Sequence, residues 1–507
     1  MNNIELQRYK TGIGLCMLTG GALLIHGYHP FAEDAEIYLP GVEKILRPEL
    51  FSTGTEFFAS HAQLTLFPNL VAFSLRVTHL PTEAGLFLWH LISIFLLLLA
   101  CWDLSGKCFP SSRARWAGVA LVAGLLTIPV AGTALYIMDQ YLNPRNLAAF
   151  AEVFAVAGVI EKKYIRAALW MIVAAAVHPL MAAFVISYCA LLLGMDRLES
   201  GTAIESRVIP AQIVLGLLLP FETFLAPRVS QAYHEAALRH GFHYIQRWQW
   251  YEWLGILAPV VLLWWFSGLA RAREWRALDR MCRALIIYDL AYFMAALVVD
   301  IPPRFESLAR LQPLRSLYLL YILMFLFTGG FIGEYLIKNS LWRWLALFVP
   351  LCTGMFLAQR ALFPASAHIE WPAGTPRNEW AQAFLWIRAN TPVDSLFALD
   401  PLYMELPGED ETGFRCLAQR NRLADAIKDS GAVTMFPSLA GDWWTQVQAL
   451  KGWKNFRQQD LLRLKSQFGV GWAVLERAGV TGFDCPYQNK AVGVCRLAPD
   501  PAPRPTN

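Results

Sequence analysis

Charge is what this chain lacks most. Only 16% of its 507 residues are charged while 56% are hydrophobic, against about a quarter charged in a soluble globular protein. Together with a mean hydropathy of +0.38, the deficit excludes a string of soluble domains and points to many membrane spans. The net charge of +4 is too small for a nucleic-acid partner, and the basic residues fall between apolar segments, a mark of topology rather than of a binding patch. Other absences narrow the chemistry. The nine cysteines form no C-x-x-C pair, and most lie in or beside apolar runs as small core residues. There is no H-E-x-x-H, no nucleophile elbow and no glycine-rich phosphate loop at a strand–helix junction, which argues against ATP-driven transport. No internal repeat is visible.

What is there, first, is a series of apolar runs near the ~20 residues a helix needs to cross hydrocarbon. They cover 11–28, 62–79, 84–102, 116–137, 146–160, 166–195, 208–226, 252–270, 281–300, 314–337 and 342–360. The first lacks a small-x-small cleavage site and reads as a retained helix. Basic connectors arbitrate the count: Lys107, Arg113 and Arg115; Lys162, Lys163 and Arg166; Arg271, Arg273, Arg276, Arg280 and Arg283; Lys338 and Arg343. All should face the cytoplasm with the N-terminus. Parity then requires 62–79, which contains Pro68, Asn69 and Arg76, to lie in the outer interface. It also asks that 166–195 be a pair of short helices turning at His178-Pro179; one tilted helix kinked at Pro179 is the alternative. About eleven spans result in a plasma-membrane protein, with the C-terminus outside.

The expected organisation is a membrane domain over 1–363 with a large first outer loop over 26–83. A small extracytoplasmic α/β domain follows over 364–498, then a disordered tail over 499–507. In the second domain Trp380–Ala389, Arg422–Lys428 and Asp460–Gln467 read as helices, and Asp442 reads as the cap of another running to about Leu450. Leu396–Leu399, Val433–Phe436, Trp472–Leu475 and Val492–Leu497 read as strands. Cys485 and Cys495 flank an expected hairpin, where a disulfide fits if the region is extracytoplasmic.

The stretch His26–His61 carries the most chemistry. Glu33, Asp34 and Glu36 stand just after the first apolar run, where a carboxylate is costly unless it meets water, a partner or a substrate. Asp34, with Glu33, has the makings of a general base for an acceptor hydroxyl; a solvated loop is the plainer account. Ile37, Val42, Ile45, Leu46 and Leu50 have near-helical spacing, with Pro40 placed to open a helix and Pro48 to stop it. Such a helix would lie flat on the membrane. On the same outer side the topology collects Asp139, Arg145 in Asn143-Pro144-Arg145-Asn146, His178, and the loop bearing His234, Glu235, Arg239, His240 and His243. Arg145, Arg239, Arg247, Arg304 and Arg310 also fall in the outer loops, Arg145 close in sequence to Asp139, and a guanidinium there can bind a phosphate bidentately. His240 and His243 make only a weak metal signal, so no metal or other cofactor is expected. Trp443-Trp444 has the surface to stack on sugar rings, with core packing the plainer account.

Glu33-Asp34-Ala35-Glu36-Ile37-Tyr38 after one spanning helix, followed by an interfacial apolar helix, resembles the GT-C superfamily of integral-membrane glycosyltransferases, such as protein O-mannosyltransferases and bacterial lipid A aminoarabinose transferases. Ala35 stands where members often have a second acid, and His61-Ala62-Gln63-Leu64 replaces their proline-rich motif. The resemblance implies transfer of a sugar from a polyprenyl-phosphate donor to an unidentified acceptor on the outer face, through an oxocarbenium-like state. It matches Asp34 to the family's catalytic base and Asp139 to a second acid. Glu33 is read as supporting them, with Tyr38, His61, His178, His234, Arg145 and Arg239 as substrate contacts. The competing reading is a scaffold or lipid-linked-sugar transporter, which should place ionisable residues mid-span; Glu152, Glu222 and Asp289 are the candidates.

Overall fold

The computed structural model describes residues 3–199, 229–301, 303–476 and 482–497. The expected span 208–226, Glu222 and the tail 499–507 lie outside them. The chain gathers into two compact units. The first takes Met1–Gly27, Phe87–Val229 and Gly241–Gln359, and the second Tyr28–Leu86, Ser230–His240 and Arg360–Asn507. The grouping in space thus cuts across the order along the chain, because the loop after the first helix folds with the C-terminal region.

The first unit is helical. Among the described residues, six helices are long and apolar enough to cross a membrane: Thr82–Cys108, Pro179–Glu199, Trp250–Ala272, Arg276–Asp300, Leu308–Ile337 and Leu341–Leu362. Helix Asn3–His26 has 24 residues, about 36 Å of rise, yet its charged first turns and four glycines dilute its hydropathy. The run expected over 116–137 is helical only over Ser112–Gly124. Beyond it the chain is irregular, and Thr127 is tied to the end of the first helix through His26 Nδ1 at 2.7 Å. Helix Pro144–Ile160 has 17 residues.

The run 166–195 is two helices, Tyr164–Val177 and Pro179–Glu199. Lys162, before the first, reaches Asp196, near the end of the second, at 3.1 Å. The pair is therefore a hairpin turned at His178-Pro179 and not one kinked span. This contact belongs to a larger network of helix ends. Lys107 meets Asp103 and Glu161 at 2.7 and 3.0 Å, and Arg166 meets the same two at 2.9 and 3.2 Å. Arg280 pairs with Asp196 and Glu199, and Arg283 with Glu199 and Asp279. Arg115 lies over Trp102 and Arg273 over Tyr335. The basic connectors thus meet as one interlocked end of this unit. Close helix packing elsewhere depends on small residues: a Cβ on Gly118 would lie 2.7 Å from the Leu326 carbonyl, the approach that small residues permit between membrane helices.

The second unit is built on a five-stranded sheet. With β1 Leu396–Ala398, β2 Asn421–Arg422, β3 Trp472–Glu476, β4 Tyr487–Gln488 and β5 Val492–Arg496, the order is β2-β1-β3-β5-β4. The first two pairings are parallel and the last two antiparallel. Helix Glu379–Asn390 covers one face through Trp380, Phe384 and Ile387, packed on Phe397, Phe414 and Val494. Helix Gln458–Phe468 contributes Leu461 and Leu464 to a second cluster around Ala473 and Leu475. Two expectations are corrected here. Arg422–Lys428 is not a helix and Val433–Phe436 is not a strand; the helix is Lys428–Met435. Asp425 sets that start, because its Oδ1 accepts from the main-chain N–H groups of Ile427, Lys428 and Asp429 at 3.0, 2.7 and 2.9 Å. Asp442 does not cap its helix but sits inside the first turn of Ala440–Ala449.

The loop contributes helices Ala35–Leu46, Glu56–Leu64 and Phe67–Thr78. Twelve residues in the last rise only about 18 Å, short of the ~30 Å a span needs. Pro40 does not open the first of them. That helix begins a turn earlier at Ala35, and Leu39, Pro40, Gly41 and Val42 are buried within the unit. Ile37, Ile45 and Leu46 remain partly exposed.

Cys485 and Cys495 are joined in a disulfide and the other seven cysteines are free. Alkylation of the denatured, unreduced protein should therefore label seven thiols, and nine only after reduction. Mass spectrometry finding nine in both would contradict the bridge.

Candidate functional site

The acidic cluster divides into two roles. Glu36, the second residue of helix Ala35–Leu46, is wholly buried. Its Oε1 accepts from Arg422 Nε and Nη2 at 3.1 and 2.9 Å, and its Oε2 from the main-chain N–H of Arg415 at 2.7 Å. Arg415 pairs bidentately with Asp429 at 2.7 and 2.9 Å. Arg422 also reaches Asp429 at 3.0 Å and Asp425 at 2.5 Å. Three carboxylates and two guanidiniums thus close on one another out of water, where each would be costly alone. Burial pushes the Glu36 carboxyl up, with Arg422 and Arg415 pulling against it. Burial acts the same way on Asp429, but there Arg415 and Arg422 prevail and hold it below the usual range. Gly413 makes room: a Cβ there would lie 2.7 Å from Glu36 Oε2.

Glu33 and Asp34 stand just outside this network and are partly exposed. Lys428 Nζ bonds the Glu33 carboxylate and lies 3.0 Å from Asp34 Oδ1. Lys428 is the first residue of its helix, so Asp425, which caps that turn, also aims the ammonium. Glu33 takes a left-handed backbone with φ 56°, as do Asp410 and Glu411 at 56° and 55°. Such conformations cost a non-glycine residue roughly 1–3 kcal/mol and bring the two segments face to face, with Glu33 N–H donating to the Glu411 carbonyl at 2.9 Å. The side chains of Glu33 and Glu411 share a hydrogen bond. Burial, then the neighbouring Glu33 charge, pushes the Glu411 carboxyl up to about 9. Burial opposes ionisation of Glu33 too, but Lys428 overcomes it and lowers that carboxyl. The result is one neutral acid and one ionised carboxylate in contact, a division that suits proton transfer. Asp34 completes the group at the N-terminus of a helix, which favours a negative charge.

The remaining candidates separate by unit. Tyr38 and His61 pack edge-to-face at 6.2 Å, with His61 also against Phe436 at 5.6 Å. His234 and Arg239 are exposed on helix Gln231–Arg239, while His240 Nε2 meets Ser430 Oγ at 3.0 Å. Asp139, Arg145 and His178 belong to the first unit. There Arg145 Nη2 lies 2.6 Å from Asp139 Oδ2, and both are buried. Asn143 caps helix Pro144–Ile160 by accepting from Asn146 N–H at 3.0 Å, and donates to the same Asp139 oxygen at 2.5 Å. The Asn-Pro-Arg-Asn motif is therefore a helix start tied to an ion pair. His178 sits at the hairpin turn, its N–H on the Ala174 carbonyl at 2.7 Å. Of the other arginines, Arg247 lies against Tyr244; the Arg304 side chain lies outside what is described. Trp443 is buried, its Nε1 donating to the Asp425 carbonyl at 2.7 Å, so it is core and not a sugar platform. Sequence reasoning missed Lys428, Glu411 and the two buried arginines. Their signal was a charge-dense stretch, Glu405 to Asp429, in a charge-poor chain.

No protein-family model matches the sequence, and no curated protein is significantly similar to it. Among solved structures, the chain is similar to the archaeal oligosaccharyltransferase AglB from Archaeoglobus fulgidus, solved with an inhibitory peptide and a dolichol-phosphate. The TM-score is 0.47 at 12% identity, covering 93% of this chain and 70% of that one. Likeness at that level identifies neither family nor activity.

Two outcomes follow from the geometry. Arg422→Met strands buried carboxylates and should cost about 3–5 kcal/mol, seen as a far lower unfolding midpoint in detergent than Arg463→Met, which removes only an exposed pair with Asp460. Glu411 holds in the folded state a proton that the unfolded chain releases near 4.5. Its contribution is therefore complete below that value and is lost as pH rises towards about 9. Glu411→Gln should flatten the fall of the unfolding midpoint between about pH 6 and 9; an unchanged slope would rule the assignment out.

Proposed function

We propose that this chain is a membrane glycosyltransferase of the GT-C type, moving a sugar from a polyprenyl-phosphate donor to an acceptor on the extracytoplasmic side. The observation that carries the reading is the Glu33–Asp34 pair, held by Lys428 beside the protonated Glu411, on a loop that follows directly from the first apolar helix. In this reading Asp34 takes the proton of the acceptor nucleophile as its bond to the anomeric carbon forms and the lipid phosphate leaves. Lys428 orients the carboxylate, and Glu33 and Glu411 hold the proton balance around it. The disulfide and the interlocked basic helix ends support an outside location for the second unit and a cytoplasmic one for the connectors.

A transporter of lipid-linked sugar is the second reading. It draws on Glu152, wholly buried in helix Pro144–Ile160 with no hydrogen-bond partner among the described residues, and on buried Asp289. In membranes supplied with a polyprenyl-phosphate sugar, Asp34→Asn should abolish sugar release, about 100-fold or more for a general base, with expression unchanged. Normal turnover in Asp34→Asn, or donor movement lost only in Glu152→Gln, would favour transport instead.

A further inference from the structure

The second unit holds a cavity of about 370 Å³ that neither the acidic pair nor Lys428 lines. Its walls come from the segment leaving the first helix and from the chain around 366–376. The two are stitched together where Tyr28 N–H donates to the His368 carbonyl at 3.0 Å and Glu370 N–H to the Tyr28 carbonyl at 2.9 Å. His29 lies on this wall, 1% exposed, its ring stacked on Phe363 with centroids 4.0 Å apart. Its Nδ1 is 3.3 Å from Glu370 Oε2. A carboxylate only accepts, so Nδ1 carries a proton in this contact, and in the tautomer with a single ring proton the lone pair is on Nε2. Among the described residues that buried Nε2 has no protein partner.

The charges that line the cavity are all of one sign: Glu83, Glu370 and Asp410, with no lysine or arginine. Asp410 is engaged by the main-chain N–H groups of Ala365 and Ser366 at 2.8 and 2.7 Å, and Glu83 faces Arg388 at 3.6 Å. The Tyr28 phenol is held neutral by burial first and then by the Glu370 and Glu83 charges. The inward-facing carboxylates thus accept hydrogen bonds and repel anions, and the neutral Tyr28 phenol brings no positive charge. Phe31 and the exposed Trp371 add aromatic surface, which attracts cations.

We propose that this cavity binds a small organic ammonium ion, with Glu370 taking its charge and His29 Nε2 accepting a hydrogen bond from the ammonium or a neighbouring hydroxyl. An ammonium brings three donors and no acceptor, which suits these carboxylates, whereas a phosphate or carboxylate ligand meets like charge with no lysine or arginine in the lining to offset it. The site goes beyond the transfer reaction and is tested without any donor lipid.

The full-length protein in neutral detergent is titrated by calorimetry with glucosamine, putrescine, glucose and glucose 6-phosphate at one ionic strength. The two amines should bind and the other two should not. Tighter binding of glucosamine than of putrescine identifies a hydroxylated amine as the source, and equal binding a simple amine. Glu370→Gln should weaken amine binding about 10-fold or more, the loss expected for one charge-assisted hydrogen bond. Trp371→Ala, at an exposed position, should weaken it without touching the fold. Binding of glucose 6-phosphate, equal binding of glucose, no binding of either amine, or full affinity in Glu370→Gln would each overturn the proposal.

Discussion

The second unit depends on one buried carboxylate. Glu36 is surrounded by guanidiniums and main-chain N–H groups that belong to Arg415 and Arg422, and every group in that cluster has left water. Such an arrangement adds little net stability over an apolar core, but it tolerates no missing member. Its value is positional. Glu36 fixes the first turn of helix Ala35–Leu46, so Asp34 and Glu33 project from a start that cannot slide. Asp429 and Asp425 fix the start of helix Lys428–Met435, so Lys428 is delivered to the same place from the opposite side. The Glu33–Asp34 pair is thus positioned by an ion-pair cluster that it does not itself join.

That division explains what was legible in the sequence. Three acids within four positions, beside an apolar run, mark the loop as special, and in the structure all three meet basic side chains of the C-terminal region. Nothing local says that one of the three is structural, because its partners lie nearly four hundred positions away. Lys428 is invisible for the same reason. Apolar patterning located the helices Glu379–Asn390 and Gln458–Phe468 and the strands β1, β3 and β5, whose apolar side chains fill the two cores of the sheet. It failed over 422–436, where polar side chains spend their hydrogen bonds on the backbone and move the helix start to Lys428. Pro40 misled in a comparable way: its helix is held by packing at Leu39 and Val42, so the missing N–H is tolerated inside it.

In the first unit hydropathy found the long helices but not their ends. Gly124 closes a helix that composition would continue, and His178-Pro179 turns a run that composition would carry straight on. Charge was the better guide. The connectors read as one-sided from their signs alone do meet, through Asp103, Glu161, Asp196 and Glu199, in a network of ion pairs. The pairing of Asp139 with Arg145 had a sequence hint in their closeness, although the sequence offered them as separate actors.

The Glu36–Arg422 contact spans 386 positions, and that separation has a consequence for biogenesis. Glu36 belongs to a loop made early, yet Arg415 and Arg422, its buried counter-charges, arrive when about four-fifths of the chain has been synthesised. Until then Glu36 lacks those partners while the ten remaining apolar runs are made, and closing so long a loop is slow. Assembly of the second unit is thus a late event that waits for Arg415 and Arg422. A truncated or stalled chain carries the acids without the scaffold that makes them a site.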